Sequence, residues 1–542
     1  MGHVKGEAES LAEPLTLRLI KDHTDSTVLN VKLSRRGHSA ATTRHRLLNF
    51  ASRLLASQTR LGALRRAEPP TKTRLGHSQR MIMRPAPPSR RHLLQSAGGL
   101  GLAAALPLPA QAIARLSGSS EVVCRVLALS DLHSAYERTS QLLAAFEHEV
   151  RSHPAPHVIA LNGDIFEHGN VVSVRSEGVI DWAFLAALPK LAPTVVNLGN
   201  HDNDLVNDLA EVVARMRSLG LHVVTHLHDA RTQKPYADPV IDLAVGERRL
   251  RIVGIGTDAL HTYPKPGRER LTIPAPQDWA AQTLASTLSG SDLRMVLCHT
   301  GVQQERLILP YVPPRSLVIG GHNHLLFNEQ IGDIAYAHSG SWCNALTVAE
   351  FAASGAVTLQ TLDIDPHGPN NADLSALIAA TLSEHLTEAE QAVLGRAPAT
   401  LSLGDTGRQV ALGLATAASA HIGFIGHTTL GTGIQAGPVT RFAYDAIVRF
   451  DGKLMVAEVT PAQLRLILKR ANQDRPLPLS ERTGDFVYAS PEPRNITGPI
   501  KIATNDWCAL NQAEYFGTTD LAFTEIPSPG IKALGRTALL GL

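Results

Sequence analysis

The chain has 542 residues, too many for a single hydrophobic core, and two or three domains are expected. An apolar content of 44% and a charged content of 18% are typical of a soluble globular protein. Residues 1–112 contain 18 Lys and Arg against 6 Asp and Glu, whereas the remaining residues contain 33 against 43. Because a nucleic-acid binder usually keeps its basic excess on the folded part, this distribution argues against nucleic acid as a partner.

The basic residues belong to a segment that reads as a leader. Residues 1–80 show no sustained hydrophobic period, which predicts a disordered or non-native upstream segment. Residues 81–112 contain the pair Arg90-Arg91, an apolar run and a small-residue site at 110–112, which together predict a twin-arginine signal peptide. We therefore expect translation to start at Met81 or Met83, recognition by the twin-arginine export machinery, and a periplasmic or secreted location. No membrane span is expected after the signal is removed.

The rest of the chain divides into two predicted domains. From residue 122 to about 364, predicted strands (122–129, 157–161, 194–198, 249–255, 294–298 and 316–319) alternate with predicted helices (141–150, 180–188 and 204–219). This alternation predicts an α/β domain over 113–365. Turn residues at 365–371 and an amphipathic helix over 372–394 form a predicted linker, 366–396. A second domain, 397–534, mixes strands with a helix at 461–472.

Polar residues follow five of the predicted strands. The strand at 194–198 ends in Gly199-Asn200-His201-Asp202, where Gly199 is expected to let the backbone turn. The other strand ends carry Asp131 and His133, then Asp164, His299, and finally His322 and His324. Because ligands of α/β sheets bind beyond the carboxyl ends of strands, we expect these side chains to meet in one crevice.

Carboxylates, imidazoles and one amide make up this set, and no thiolate takes part. Such a set suits Mn, Zn, Fe or Ni. The four cysteines are widely spaced and form no Cys-x-x-Cys pair, so neither a zinc knuckle nor a dense disulfide framework is supported, while one bridge stays open. Seven ligands are too many for one tetrahedral ion and suit two ions that share a carboxylate. In such sites the ions, roughly 3.5–4 Å apart, clamp a phosphoryl group and lower the pKa of a bound water toward about 7.

The ordered motifs resemble those of the calcineurin-like metallophosphoesterases. The motifs are Asp131-x-His133, Gly163-Asp164, Gly199-Asn200-His201-Asp202, His299 and Gly321-His322-x-His324. The resemblance implies a four-layer αββα sandwich, followed here by a smaller α+β C-terminal domain.

The same resemblance implies a role for each site residue. One divalent ion would be held by Asp131, His133, Asp164 and His324, and a second by Asp164, Asn200, His299 and His322, with Asp164 bridging. His201 would face the scissile phosphate, where it would stabilise charge or protonate the leaving oxygen, and it would be oriented by Asp202. A hydroxide held between the ions would attack phosphorus.

The second predicted domain resembles the C-terminal domain of the 5′-nucleotidase and UDP-sugar hydrolase group. The resemblance rests on residues 437–440, 449–452 and 504–507, and it implies that Phe450 and Trp507 sandwich a nucleobase. The alternative is that both are core residues. The group's Asn-Gly-Gly-x-Arg loop is replaced at 426–430 by a stretch without arginine, Ser134 stands where glycine is usual, and Asp202 where glutamate is.

The sequence therefore predicts an exported two-metal phosphomonoesterase that hydrolyses nucleotides or related small phosphorylated metabolites. Three alternatives stay open. A thiosulfohydrolase of sulfur oxidation would remove sulfate from a carrier protein on the same two-domain plan. A cyclic-nucleotide phosphodiesterase would use the same ions with another pocket shape. A binding protein with a vestigial metal site would have lost a ligand, and none is missing.

Overall fold

The computed structural model describes residues 121–492 and 498–541, together with the strands Leu17–Lys21 (β1) and Thr27–Val31 (β2). β1 and β2 pair antiparallel, with Leu17 opposite Val31. The other residues of the segment 1–80, and the predicted signal peptide at 81–112, lie outside the described residues. The chain divides into two compact units, Met1–Ala105 and Leu106–Leu542, and all strands from β3 onward belong to the second unit.

The first domain, residues 121–365, is built mainly of strands. Its strands are β3 (Val122–Leu129), β4 (His157–Asn162), β5 (Thr194–Asn197), β6 (His222–Val224), β7 (His228–Asp229), β8 (Lys234–Pro235), β9 (Val240–Val245), β10 (Arg248–Gly256), β11 (Leu271–Thr272), β12 (Leu293–His299), β13 (Leu317–Gly320), β14 (Leu326–Ile331), β15 (Ile334–Ser339), β16 (Ala345–Ala352) and β17 (Val357–Asp363).

Two six-stranded sheets form the centre of this domain. The first has the order β17-β16-β3-β4-β5-β6, with β3 to β6 parallel and β16 and β17 antiparallel. The second has the order β14-β15-β13-β12-β10-β9, with parallel strands β10, β12, β13 and β15 between antiparallel edge strands. A third, smaller sheet has the order β11-β7-β8.

Successive residues of the strands point to opposite faces of each sheet, and this alternation produces the layers of the domain. Val126, Ala160 and Val195 of the first sheet share one buried cluster with Ile252 and Leu297 of the second, so the two sheets pack face to face. The neighbouring residues Leu127 and Leu161 point the other way, into a cluster with the helices.

Helices cover the outer faces of both sheets. They are α1 (Tyr136–Ser152), α2 (Val171–Arg175), α3 (Val179–Ala187), α4 (Leu209–Ser218), α5 (Pro276–Leu288), α6 (Val302–Ile308) and α7 (Ala372–His385). Phe146 of α1, Phe184 of α3 and Met216 of α4 pack on the first sheet, and Leu284 of α5 packs on the second. The predicted α/β class and αββα layering are confirmed. Among the described residues, no helix has the length and apolar character needed to cross a membrane.

The second domain, residues 397–541, surrounds a five-stranded sheet. Its sheet has the order β22-β19-β23-β21-β24. After the short helix α8 (Glu388–Gln391), the strands are β18 (Val393–Ala397), β19 (Ile422–Gly426), β20 (Gly437–Thr440), β21 (Leu454–Val459), β22 (Val487–Ala489), β23 (Ile500–Asn505) and β24 (Thr524–Ile526). The helices are α9 (Leu403–Ala418), α10 (Arg441–Ile447), α11 (Pro461–Arg470), α12 (Asp506–Leu510), α13 (Gln512–Tyr515) and α14 (Ile531–Leu540).

Apolar packing joins the two domains. Val296 and Val318 of the second six-stranded sheet belong to the same buried cluster as Val410 and Leu414 of α9. The outer layer of that sheet therefore continues into the core of the second domain.

The predicted linker helix differs from the observed one. A single helix was predicted over 372–394, but α7 ends at His385 and Leu386 is extended. The side chain of Thr387 then accepts from the backbone N–H of Glu390 in a capping box, which starts the separate helix α8. Val393–Ala397 pairs with β20 as a strand. The predicted domain limits, 113–365 and 397–534, stay a prediction.

Candidate metal centre and active site

The predicted ligands lie where the parallel strands of both sheets end. Asp131 and His133 follow β3, Asp164 follows β4, Asn200 follows β5, and His299 is the last residue of β12, while His322 and His324 follow β13. Buried asparagines hold these strand ends together across the sheets. Nδ2 of Asn162 donates to the carbonyls of Cys298 and Ile319, and Nδ2 of Asn197 donates to Oδ1 of Asn162.

Asp131, His133 and His324 form one group of ligand atoms. Nε2 of His133 and Nε2 of His324 are 3.0 Å apart. Oδ1 of Asp131 lies 3.9 Å from the first of these nitrogens and 3.6 Å from the second. Three atoms with lone pairs therefore converge on one point, as in a cation site.

Asp164, His299 and His322 form a second group, with Asn200 beside it. Oδ2 of Asp164 is 3.1 Å from Nε2 of His299, and Oδ1 of Asn200 is 2.8 Å from Nδ1 of His322. Oδ2 of Asp164 also lies 3.8 Å from Nε2 of His133 in the first group. The carboxylate of Asp164 thus stands between the two groups.

The donors of these groups fit a divalent cation. His299 donates from Nδ1 to the carbonyl of Asn162, at 2.6 Å, while its buried Nε2 has no hydrogen-bond partner among the described residues. Burial would lower the pKa of His299, but the negative charges of Asp164 and Asp131 outweigh it and raise the pKa to about 10. Burial lowers the pKa of His322 to about 4 and that of His324 well below its usual range, which keeps both rings in the neutral, ligating form.

The backbone of the ligands is unusual. Five of them have a positive φ, in the left-handed region that non-glycine residues rarely adopt: Asp131 (57°), His133 (51°), Asp164 (54°), His322 (75°) and His324 (55°). Ser134, where the family usually has glycine, also has a positive φ, of 49°.

Gly199 lies where a side chain would not fit. Its φ is not positive, but a Cβ at this position would overlap Oδ1 of Asp164. The glycine therefore allows the carboxylate of Asp164 to approach the backbone closely.

His201 lies next to the ligands but is more accessible than they are. Its side chain is 30% exposed, against 2% for His133 and 0% for His299. Burial would lower the pKa of His201, but the charge of Asp164 and the contact with Asp204 raise it well above its usual range. A protonated ring at this position could donate a proton to a bound substrate.

The carboxylate that contacts His201 is Asp204, not the predicted Asp202. Oδ2 of Asp204 is 3.0 Å from Nδ1 of His201. Asp202 instead accepts from the backbone N–H groups of Gly199 (2.7 Å) and Ile165 (2.9 Å), so its side chain holds two strand ends together. The prediction considered only the residue adjacent to His201, whereas a turn brings the third residue onward back to the ring.

Sequence reasoning also missed Glu167 and Trp342. Oε2 of Glu167 lies 3.3 Å from Nδ1 of His133, and the ring centroid of Trp342 lies 4.3 Å from that of His133. Oε2 of Glu167 and Nδ1 of His133 are close enough for an ion pair but lack hydrogen-bond geometry, so Glu167 lies beside the ring of His133 as a neighbouring charge. Glu167 lies three positions after Asp164, and this closeness in sequence to a predicted ligand was the available signal.

The family model described as calcineurin-like phosphoesterase matches residues 124–326. The match runs from β3 to the start of β14 and includes every strand end that carries a predicted ligand. Residues 124–326 form a calcineurin-like phosphoesterase domain. For this domain, the predicted family and the predicted class, a metal-dependent phosphoester hydrolase, are confirmed.

A curated relative matches part of the chain. The 2′,3′-cyclic-nucleotide 2′-phosphodiesterase/3′-nucleotidase of Haemophilus influenzae is 24% identical over 320 residues, which are 48% of this chain and 47% of that protein. The chain thus spans about half the length of the curated relative it matches.

Solved structures share the fold of both domains. A 5′-nucleotidase precursor from Thermus thermophilus has a TM-score of 0.52 at 17% identity, over 77% of this chain and 96% of that one. A sulfate thiohydrolase from the same organism has a TM-score of 0.53 at 13% identity, over 78% and 94%. A 5′-nucleotidase from Candida albicans has a TM-score of 0.51 at 13% identity, over 78% and 98%. At such identities the likeness concerns the fold alone.

The second domain places an arginine beside the phosphoesterase domain's ligands. The guanidinium carbon of Arg449 lies 3.3 Å from the ring centroid of Trp342. Its Nε is buried and has no hydrogen-bond partner among the described residues. No arginine was found in the loop 426–430, and this cation reaches the site from the stretch after α10 instead.

Phe450 and Trp507 are partly exposed rather than buried in the core. Phe450 is 45% exposed and Trp507 is 51% exposed. The backbone N–H of Asp506 donates to the carbonyl of Lys453, at 3.0 Å, which brings the chain segments of the two aromatic residues together. Both rings are therefore accessible to a ligand.

Proposed function

We propose that the chain is an exported phosphomonoesterase that holds two divalent ions and acts on nucleotides or related phosphorylated metabolites. The observation that carries this proposal is the position of Asp164 between two converging groups of ligand atoms. Asp131, His133, Asp164 and His324 would hold one ion, and Asp164, Asn200, His299 and His322 the other. When bound, such ions polarise phosphoryl oxygens and lower the pKa of water.

Other residues would donate a proton to the substrate, bind its anionic group and stack on its base. Asp204 holds Nδ1 of His201, which leaves Nε2 to donate a proton to the leaving oxygen as its bond to phosphorus breaks. Arg449, whose Nε has no hydrogen-bond partner among the described residues, would offer its guanidinium to an anionic group of the substrate. Phe450 and Trp507 would stack on a nucleobase.

Cyclic phosphodiesters form the second candidate class of substrate. The curated relative from Haemophilus influenzae carries this activity in its name, together with 3′-nucleotidase. The same ligand groups would serve both reactions, since the difference lies in which phosphorus–oxygen bond breaks.

A substrate panel tests the proposal. Purified wild-type protein, loaded with Mn²⁺, is assayed with 5′-AMP, 3′-AMP, 2′,3′-cyclic AMP and an S-sulfonated thiol, beside His201→Ala. We expect hydrolysis of at least one phosphate ester and its near loss in His201→Ala. Turnover of the sulfonated thiol alone would replace the proposal by a thiosulfohydrolase, and no turnover of any substrate would refute it.

Export is a separate part of the proposal and rests on the predicted signal at 81–112. A fusion of these residues to a reporter that folds in the cytoplasm should reach the periplasm of a bacterium with a twin-arginine pathway. Replacing Arg90 and Arg91 by Lys should abolish this transfer. Export of the double variant at the wild-type level would contradict the predicted signal.

A further inference from the structure

Asn323, the residue between His322 and His324, is held by three hydrogen bonds. Its Oδ1 accepts from the backbone N–H of Val302 at 2.8 Å. Its Nδ2 donates to Oδ1 of Asp485 at 2.8 Å, and its carbonyl lies 2.7 Å from Nε2 of His427. Two of the three partners, Asp485 and His427, belong to the second domain. The segment 322–324, which carries two predicted ligands, is therefore hydrogen-bonded to residues outside the phosphoesterase domain.

The contact from His427 is a defined hydrogen bond. Because a carbonyl oxygen can only accept, Nε2 of His427 carries the proton. The ring stacks on Phe486 with a centroid distance of 4.1 Å and an interplanar angle of 13°, and only 5% of the residue is exposed. Stacking and burial leave the ring little freedom to turn away from Asn323.

Asp485 connects Asn323 to the aromatic residues of the second domain. Its Oδ2 accepts from the hydroxyl of Tyr515 at 3.3 Å. The same hydroxyl accepts from Nε1 of Trp507 at 3.2 Å. A continuous set of hydrogen bonds thus runs from Trp507 to the residue between two metal ligands.

We infer that His427 and Asp485 are positioning residues for the metal centre and that the second domain completes it. This inference rests on the proposed function in one respect, since it takes His322 and His324 as ligands. Both have a positive φ, which the surrounding contacts must maintain. Rotation of the second domain away from the first would break the contacts on Asn323 and so change the geometry of the ligands.

Metal affinity measured without substrate tests the inference. Mn²⁺ binding to the full chain is followed by titration calorimetry for wild type, Asp485→Ala and His427→Phe, the last of which keeps the stacked ring but loses the donor. Loss of partners that orient ligands typically weakens metal binding about 10-fold to 100-fold, and we expect a change of this size. Asp485→Asn and His427→Gln, which keep an acceptor and a donor, should stay close to wild type. The control is Asp474→Ala, which loses only an ion pair with Arg408.

A structural role alone would lower the unfolding temperature without a selective effect on metal. Rescue by the conservative pair, together with an altered visible spectrum of the Co²⁺-loaded Ala and Phe variants, supports positioning. Wild-type affinity and spectrum in both Asp485→Ala and His427→Phe would overturn the inference. If either variant fails to fold, Tyr515→Phe, which removes one partner of Asp485, replaces it, and an unchanged affinity there would count against the inference. Wild-type protein that binds Mn²⁺ but hydrolyses no ester would defeat the proposed function and leave this inference standing.

Discussion

The edge of the first domain where the proposed ligands lie, and the surface of the second domain that carries Phe450 and Trp507, differ in how exposed their residues are. At the edge, Asp131, Asp164 and His299 are almost fully buried, and several ligands have a left-handed backbone. On the second domain, Phe450 and Trp507 are about half exposed. On the proposed function, the buried edge would fix the class of reaction, and the exposed rings of the second domain would select the substrate. Changes at the edge should therefore affect metal content and kcat, and changes on the second domain should affect KM.

The largest effect is expected from Asp164→Asn, because this carboxylate serves both groups of ligands. Removing its charge should cost several kcal/mol of charge stabilisation and lower kcat/KM by about 10³-fold or more. Metal content should fall as well, as measured by elemental analysis. Asp242→Asn, which loses an ion pair with Arg251 near the start of β10, is the matched control. Equal activity of the two variants would show that the edge is not catalytic.

His201→Ala should lower kcat by about 10²–10⁴-fold, the usual contribution of general acid catalysis. Its metal content should stay at the wild-type level, since His201 is not a proposed ligand. A parallel loss of metal would instead make His201 part of the metal site.

Asp204→Asn and Asp202→Asn separate the two candidate partners of His201. Asp204→Asn should lower kcat by less than the loss of about 10²–10⁴-fold expected for His201→Ala, because the ring stays in place but loses its orienting carboxylate. Asp202→Asn should mainly lower the free energy of unfolding, by about 1–3 kcal/mol, because an NH2 group replaces one of the two oxygens that accept from backbone N–H groups. The reverse pattern, seen in kcat and in urea unfolding, would restore the sequence-based assignment of Asp202.

Arg449→Ala should raise KM by roughly 10-fold to 100-fold and leave kcat nearly unchanged. Hydrogen bonds to charged groups contribute about 1.5–3 kcal/mol, and about 1.4 kcal/mol corresponds to tenfold in affinity. Arg441→Ala, at the exposed start of α10, is the control. A fall in kcat with unchanged KM would indicate that Arg449 acts in the chemical step at the edge and not in substrate binding.

Phe450→Ala and Trp507→Ala probe the same contrast with a change of substrate. Each should raise KM for 5′-AMP by roughly tenfold, since stacking of a base on an aromatic ring contributes about 1–3 kcal/mol. KM for p-nitrophenyl phosphate, which has no nucleobase, should change much less. An equal rise for both substrates would argue that these rings do not recognise a base.

The smallest effect on turnover is expected from Asp181→Asn. Burial raises the pKa of Asp181 to about 6, while its Oδ2 accepts from the hydroxyl of Tyr136 at 2.6 Å. A raised carboxyl pKa means that ionisation opposes folding, so the cost builds up between about pH 4 and 6 and is complete above that range. The variant should match wild type near pH 4 and unfold at higher urea concentration at pH 8. A difference that is larger at pH 4 would contradict this sign.

Much of the edge was predictable because its residues are local to strand ends. Strand β3 was predicted with its observed limits, and the positions of Asp131, Asp164 and His299 after buried strands follow from apolar runs that end in polar residues. What local patterns do not encode is where a turn directs a side chain. For this reason the sequence pointed to Asp202, and not to Asp204, as the partner of His201.

The contributions of the second domain were harder to predict. Arg449 reaches Trp342, and His427 reaches Asn323, only because two domains pack against each other. A sequence read in order gives no sign of contacts that are about a hundred residues apart. The helix predicted over 372–394 failed for a local reason, because the helix ends at His385 and the capping box of Thr387 and Glu390 starts a separate helix.

Anomalous diffraction from crystals grown with Mn²⁺ is the sharpest test of a two-ion centre, because it locates each ion without reference to activity. We expect two peaks, roughly 3.5–4 Å apart, with the carboxylate of Asp164 between them. A single peak, or peaks away from the ends of β3, β4, β12 and β13, would contradict the shared-carboxylate arrangement.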